Sequence, residues 1–193
     1  HLGSNHFSSA GAAVVYKGQG LVNDVLATSG LLIDVAEGVK IDRPIRIICR
    51  QSDGCESHLR ILVRVGDRTQ VTVIEDFTGD EKSFNTGFSE YVVGASAMLE
   101  HYRIAMNTGH AVSIGGCHFN LNHKSELNST VVGFGSELSR LDIDVNHLAE
   151  FALAKLNAFY LLGGDEVFDL HSAIEHIAAN GTSEENVRGI VAD

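Results

Sequence analysis

The chain contains a single proline, Pro44, no tryptophan and only three cysteines, Cys49, Cys55 and Cys117. An odd cysteine count with no Cys-x-x-Cys pair argues against a disulfide framework and for a reducing compartment. Metal sets could be drawn from Cys49, Cys55 and His58, or from Cys117 and His118, but the spacings fit no structural zinc pattern. Adjacent residues on a strand also point to opposite faces, so these read as ordinary thiols. Cations are scarce as well: 14 Lys and Arg stand against 25 Asp and Glu, for a formal net charge of −11. With no basic run to offset it, that field repels a phosphate backbone, and nucleic acid is not an expected partner. Apolar runs such as "GAAVV" and "GLLIDV" fall far short of the roughly 18 residues that span a bilayer. The N-terminus lacks the basic, apolar, small-residue order of a secretory signal. No membrane is expected, and the cytoplasm is the default location.

What is present is alternation. At 193 residues, 44% hydrophobic and 20% charged, the chain suits one packed domain over residues 1–193. In "LSRLDIDV", Leu141, Ile143 and Val145 alternate with Asp142 and Asp144, which predicts a strand with one apolar and one acidic face. Similar runs occur at "TQVTVIEDF", "SAMLEHYRIAM", "CHFNLN", "ELNSTVVGF" and "EFALAKLNAFY". Upstream, "LLIDVAEGVKIDRPIRIICR" and "HLRILVRV" are more continuously apolar, as strands covered on both faces would be. No long stretch shows helical periodicity, although Ala and Leu make "HLAEFALAKLNAFYLL" ambiguous. Glycine-containing turns punctuate the strands, and "GDRTQVTVIE", "GASAMLEHYRI" and "GSELSRLDIDV" repeat a loose unit. Such repetition predicts an all-β solenoid whose glycines supply positive φ at the corners; a β-sandwich would give much the same string. Near the end, Thr182 or Ser183 is placed to cap a short helical turn through Glu184 and Glu185. "RGIVAD" reads as the start of a further strand, so the chain is expected to be a fragment.

The stretch "GGDEVFDLHSAIEH", Gly163 to His176, concentrates chemistry-bearing side chains. His171 and His176, five apart, lie on opposite faces of a strand and about 140° apart on a helix, so they do not clamp one metal. Asp169, His171 and Glu175 share a strand face by parity, and a carboxylate two residues from a histidine can orient its ring for proton transfer. Without a nucleophile, an oxyanion donor or a metal partner the set is incomplete and reads as solvated polar residues. "GFGSEL" lacks the third glycine of a dinucleotide loop, "YKGQG" lacks the phosphate-loop ending, and Ser8 and Ser9 have no hydrolase elbow around them. The expectation is a non-catalytic scaffold or binding protein. The alternatives are a β-helical hydrolase or lyase using the Asp169, His171, Glu175 face, and a structural solenoid that self-associates.

The run "LNAFYLLGGDEVFDLHSAIEHIAANGTSEENVRGIVAD", Leu156 to Asp193, resembles the core of the SufB/SufD family of iron–sulfur cluster assembly proteins. The motif positions are Gly163 and Gly164, Asp169 with Ser172, His176, Thr182 with Ser183, and Arg188 with Gly189. "VGDRTQVTVIEDF" and "GVKIDRPIRI" resemble two further family stretches, extending the likeness from Gly38 to Asp193; residues 1–37 form a weakly matched entry segment. The resemblance implies a flattened right-handed β-helix with two strands per coil. It also implies a SufD-like accessory subunit working with a SufB-like subunit and the SufC ATPase, the cluster being handled transiently by the whole complex. Family members continue into an Asp-Asp-x-x-Cys-x-His-Gly strand and SufC-docking helices, and the sequence stops at Asp193 before both. No catalytic, cofactor-binding or metal residue is therefore carried over, and His171 and Cys117 remain bare candidates. No cofactor and no stoichiometric iron are expected in this fragment, and dimerisation or aggregation through the end near "GIVAD" is expected.

Overall fold

The computed structural model describes residues 18–27, 29–51, 54–79 and 82–192. Ser8 and Ser9 lie outside them. Among the described residues one helix, α1 (Gly18–Leu26), precedes twelve strands. These are β1 (Ser29–Val35), β2 (Ile45–Gln51), β3 (Glu56–Val65), β4 (Gln70–Gly79), β5 (Phe84–Val93) and β6 (Met98–Asn107), then β7 (Val112–Leu121), β8 (Glu126–Phe134), β9 (Leu138–His147), β10 (Leu153–Gly163), β11 (Phe168–His176) and β12 (Thr182–Ala192). Odd strands form one six-stranded sheet in the order β1-β3-β5-β7-β9-β11, and even strands form the other, β12-β10-β8-β6-β4-β2. Every pairing is parallel, and consecutive strands lie in opposite sheets. That topology is a β-solenoid of two strands per coil, and it rules out the β-sandwich, whose sheets are antiparallel.

Alternation sets which side chains fill the space between the sheets. Ile61, Val63, Val73, Leu99, Phe119, Leu121 and Val145 are fully buried there, each contributing about 1.5–3 kcal/mol of hydrophobic stabilisation. The step from coil to coil is close to constant, so like positions stack: Gln70 pairs with Met98, and Met98 with Glu126. One corner position recurs in every coil with positive φ, as Gly38, Arg68, Ser96, Lys124, Phe151 and Asn180. Five of these six are not glycine, but at the opposite corner Gly54, Gly109 and Gly164 supply the positive φ as expected, with Lys82 the exception. Glycines beside the first corner serve another purpose. A Cβ on Gly66 would lie 2.5 Å from the Glu37 backbone nitrogen, and one on Gly94 would lie 2.7 Å from that of Asp67. These residues let adjacent coils approach.

Four other expectations are corrected. Thr182, Ser183, Glu184 and Glu185 open β12 and form no helical turn, because they pair with β10 from Leu153 onward. "RGIVA" is the second half of that same strand, opposite Phe159–Gly163. β1 and β2 are edge strands, and Leu32 and Ile48 remain 57% and 50% exposed, so these apolar runs are not covered on both faces. Helix α1 also escaped the periodicity reading. Among its described side chains Asn23 is fully buried, while Val22, Val25 and Leu26 stay exposed. The Asn23 amide donates to the Thr86 carbonyl and hydroxyl at 3.1 and 2.9 Å, fastening α1 to the odd-strand sheet.

Candidate functional site

Inside the solenoid the apolar stack is interrupted by charge. Glu75 continues the inward row of Val71 and Val73 on β4, His101 and Arg103 follow Leu99 on β6, and Cys117 and Phe119 lie together on the inner face of β7. Register places Glu75 directly beside Arg103. Arg103 Nη1 donates to Glu75 Oε2 at 2.9 Å, and Nη2 donates to the Gly87 carbonyl at 2.9 Å. The guanidinium lies 4.1 Å above the Phe77 ring, and Nη1 is 3.4 Å from Cys117 Sγ. Tyr91 Oη donates to Glu75 Oε1 at 2.5 Å, while Tyr91 stacks on Phe119 and both rings meet His101 edge-on. His101 Nδ1 pairs with Ser129 Oγ at 2.9 Å; its Nε2 is 3.6 Å from Glu75 Oε1.

Electrostatics follow from that geometry. Burial pushes the Glu75 carboxyl up, but the charge of Arg103 and the neighbouring His101 override it and hold it at about 2. Burial lifts the Cys117 thiol to about 12 against the pull of Arg103, so the sulfur stays protonated and weakly nucleophilic. Tyr91 is raised well above its ordinary value by burial and then by Glu75. Glu75, His101 and Cys117 each present a ligand atom within 4.8 Å of the others. This set does not suit a metal ion: Arg103 already supplies the positive charge at that point and bonds two of the three groups. The network is a closed ion pair wrapped in aromatic rings.

Glycine makes the room for it. A Cβ on Gly115 would lie 2.5 Å from both Arg103 Nη2 and the Gly87 carbonyl oxygen. We expect Gly115→Ala to destabilise the fold by about 1–3 kcal/mol, the usual cost of overpacking, read as a lower urea midpoint. An unchanged midpoint would mean that the coil relaxes freely at this position.

Apart from Cys117 and the other thiol sets, the residues singled out from sequence lie on the last two coils. Asp169 Oδ1 is 3.3 Å from His171 Nε2, and Asp169 Oδ2 accepts from Arg140 Nη1 at 2.7 Å. Glu175 is exposed further along β11. Among the described residues no nucleophile lies within hydrogen-bond reach of His171. His176 has a partner that parity within one strand cannot reveal. It stacks on His147, one coil earlier, at 4.4 Å and 11°, and Ser183 Oγ lies 3.1 and 2.9 Å from the Nε2 atoms of His147 and His176. Burial, then the adjacent His176, lowers the pKa of His147. Ser172 and Arg188 are exposed. Gly189 accommodates Tyr160, since a Cβ there would fall 2.0 Å from the ring. Cys117 is buried, whereas His118 points outward to Asp144 at 3.3 Å, on opposite faces as expected. A cleft of about 490 Å³ near Cys49, Gln51, His58 and Phe77 was not anticipated; His58 is held there by Thr86 and Glu56, each at 2.8 Å.

Comparison with known proteins gives a consistent result. A family model described as "SUF system FeS cluster assembly, SufBD core domain" matches residues 48–193. "Protein ABCI7, chloroplastic" of Arabidopsis thaliana is 27% identical over 182 residues, covering 89% of this chain and 38% of that protein. An iron–sulfur cluster assembly SufBD family protein of Synechocystis is 26% identical over 125 residues, covering 60% of this chain and 28% of its own length. The chain thus spans well under half the length of both relatives.

Proposed function

Because the chain belongs to the SufB/SufD family, matched through its core domain over residues 48–193, we propose that it is the β-helical core of an accessory subunit for iron–sulfur cluster assembly. In this reading it works beside a SufB-like subunit and the SufC ATPase, as a scaffold and not as an enzyme. The nascent cluster is cargo of the complex, with no resident cofactor in this core. The single observation that carries the scaffold reading is the closed Glu75–Arg103 network: the most chemically loaded part of the molecule is neutralised and sealed, with no surface for substrate. The Asp169–His171 pair supports the same reading, being solvated and lacking an attacking group. No helix among the described residues is long and apolar enough to cross a membrane. A reducing compartment suits the three free thiols. We place the protein in the cytoplasm, with the chloroplast name of one relative marking the organelle as the other case.

The test is co-expression of the tagged full-length protein with SufB-like and SufC-type subunits from the same source. We expect one co-purifying complex, and cluster delivery to an acceptor apoprotein that falls when this subunit is omitted. Delivery unchanged by its omission would overturn the reading. His171→Ala is expected to leave delivery intact; its loss with the fold preserved would favour the hydrolase or lyase reading instead.

A further inference from the structure

The two sheets differ in what covers their outer faces. Outside the odd-strand sheet, α1 packs with its Asp24 carboxylate paired to the outward Arg60. Outside the even-strand sheet no described element packs, yet the part of that face toward the C-terminal ends of the strands is largely apolar. Tyr102, Met106, Phe159, Leu161 and Ile190 are each 37–55% exposed, and Phe134 lies between Met106 and Leu161 in the same row. For Tyr102, Met106, Phe159 and Leu161 this exposure is not an effect of the sheet ending, because β6 and β10 are bonded to a neighbour on both sides. A polar ladder, Asn186 to Asn157 to Asn128 to Glu100, borders the patch along the N-terminal side of the strands. At its edge, beside Phe134 and Leu161, opens a recess of about 470 Å³. An apolar centre with a polar rim and a socket has the anatomy of a protein interface.

Charge decides what fits it. Arg50 stands at the β2 end of the row that runs through Met106, Phe134 and Leu161, and Arg188 stands at the β12 end of the adjacent row beside Phe159. Among the described residues neither arginine has a carboxylate partner, whereas Arg60 on the opposite sheet has one from a helix. In these rows the carboxylate is Asp76, already paired with Arg46. A second copy of the chain would therefore bring arginines to arginines. Five strand spacings separate the two cations, roughly 24 Å at 4.8 Å each, which a helix of about 16 residues covers.

We propose that the outer face of the even-strand sheet docks an amphipathic helix of a partner protein, its apolar stripe lying across β6, β8 and β10 and its flanking carboxylates meeting Arg50 and Arg188. The probe is a fluorescein-labelled 18-residue helical peptide with leucines at i, i+3, i+4 and i+7 and glutamates on either side. Its twin carries lysines in place of the glutamates. Both are titrated by anisotropy against the full-length protein. The glutamate peptide is expected to bind at least tenfold more tightly than the lysine twin. Leu161→Asp, an outward substitution whose folding is checked by its melting curve, is expected to weaken it at least tenfold, and Arg188→Glu to reverse the preference between the twins. Failure of the glutamate peptide to bind, equal binding of the twins, or indifference to both substitutions overturns the proposal. So does a dimer in light scattering that Leu161→Asp splits, since the occupant would then be a second copy.

Discussion

Replacing Arg103 with methionine is expected to lower the unfolding free energy by about 3–5 kcal/mol, the cost of stranding one member of a buried ion pair. Glu75 is fully buried, and its carboxylate depends on the Arg103 bond at 2.9 Å; the Tyr91 hydroxyl alone cannot neutralise it. The guanidinium also bridges the two sheets, tying Glu75 of β4 to the Gly87 carbonyl of β5. Its loss removes that bond and opens the contact with Phe77. The decisive comparison is the double variant Glu75→Gln, Arg103→Met. A buried pair replaced at both members by groups of similar volume is often close to neutral, so the double variant should recover most of the stability lost by the single one. Urea unfolding of the wild type, both single variants and the double variant gives the coupling energy directly. A loss below about 1 kcal/mol for Arg103→Met, or a double variant no better than the sum of the singles, would show that the network is not a unit.

The difference between what the sequence discloses and what it hides can be traced to particular residues. Strands are legible because Leu141, Ile143 and Val145 face inward as their alternation requires. Solenoid and sandwich are not separable by alternation, since both have period two. The distinguishing signal is the coil step that stacks Arg68, Ser96, Lys124, Phe151 and Asn180 at one corner, five residue types united by backbone geometry alone. Helix α1 is hidden for the opposite reason: it is only nine residues long, and it docks through Asn23, held by hydrogen bonds, while its apolar Val22, Val25 and Leu26 stay exposed. The buried network was available to parity. Glu75 has the parity of Val71 and Val73, and His101 and Arg103 have that of Leu99. A charged residue in register with a core row is the sign to follow, more than a local cluster of polar types. "DLHSAIEH" shows the limit of local reading. Asp169 and His171 do meet, but the ring stacked on His176 belongs to His147, brought there by coil stacking.

The same Glu75 should shape the acid side of the stability curve. Its folded pKa of about 2 lies below the ordinary 4.5, so the unfolded chain takes up the proton first as pH falls. Its contribution is therefore fully present above the ordinary value and is lost as pH drops from there toward 2. At 1.36 kcal/mol per unit, that limb amounts to on the order of 3 kcal/mol. His147 acts in the same direction but higher on the scale. Its pKa is lowered from 6.5, so its share is present above that value and declines as pH falls below it. The two limbs are separable by substitution. Urea unfolding at pH steps from 7 down to 2.5 should show Glu75→Gln flattening the lower limb and His147→Gln the upper one, each leaving the other in place. If Glu75→Gln retains the full fall between pH 4.5 and 2.5, the acid loss does not come from Glu75, and the buried pair would have to be neutral in the folded state. That result would also remove the basis for the large Arg103→Met effect, because a protonated Glu75 has no charge to strand.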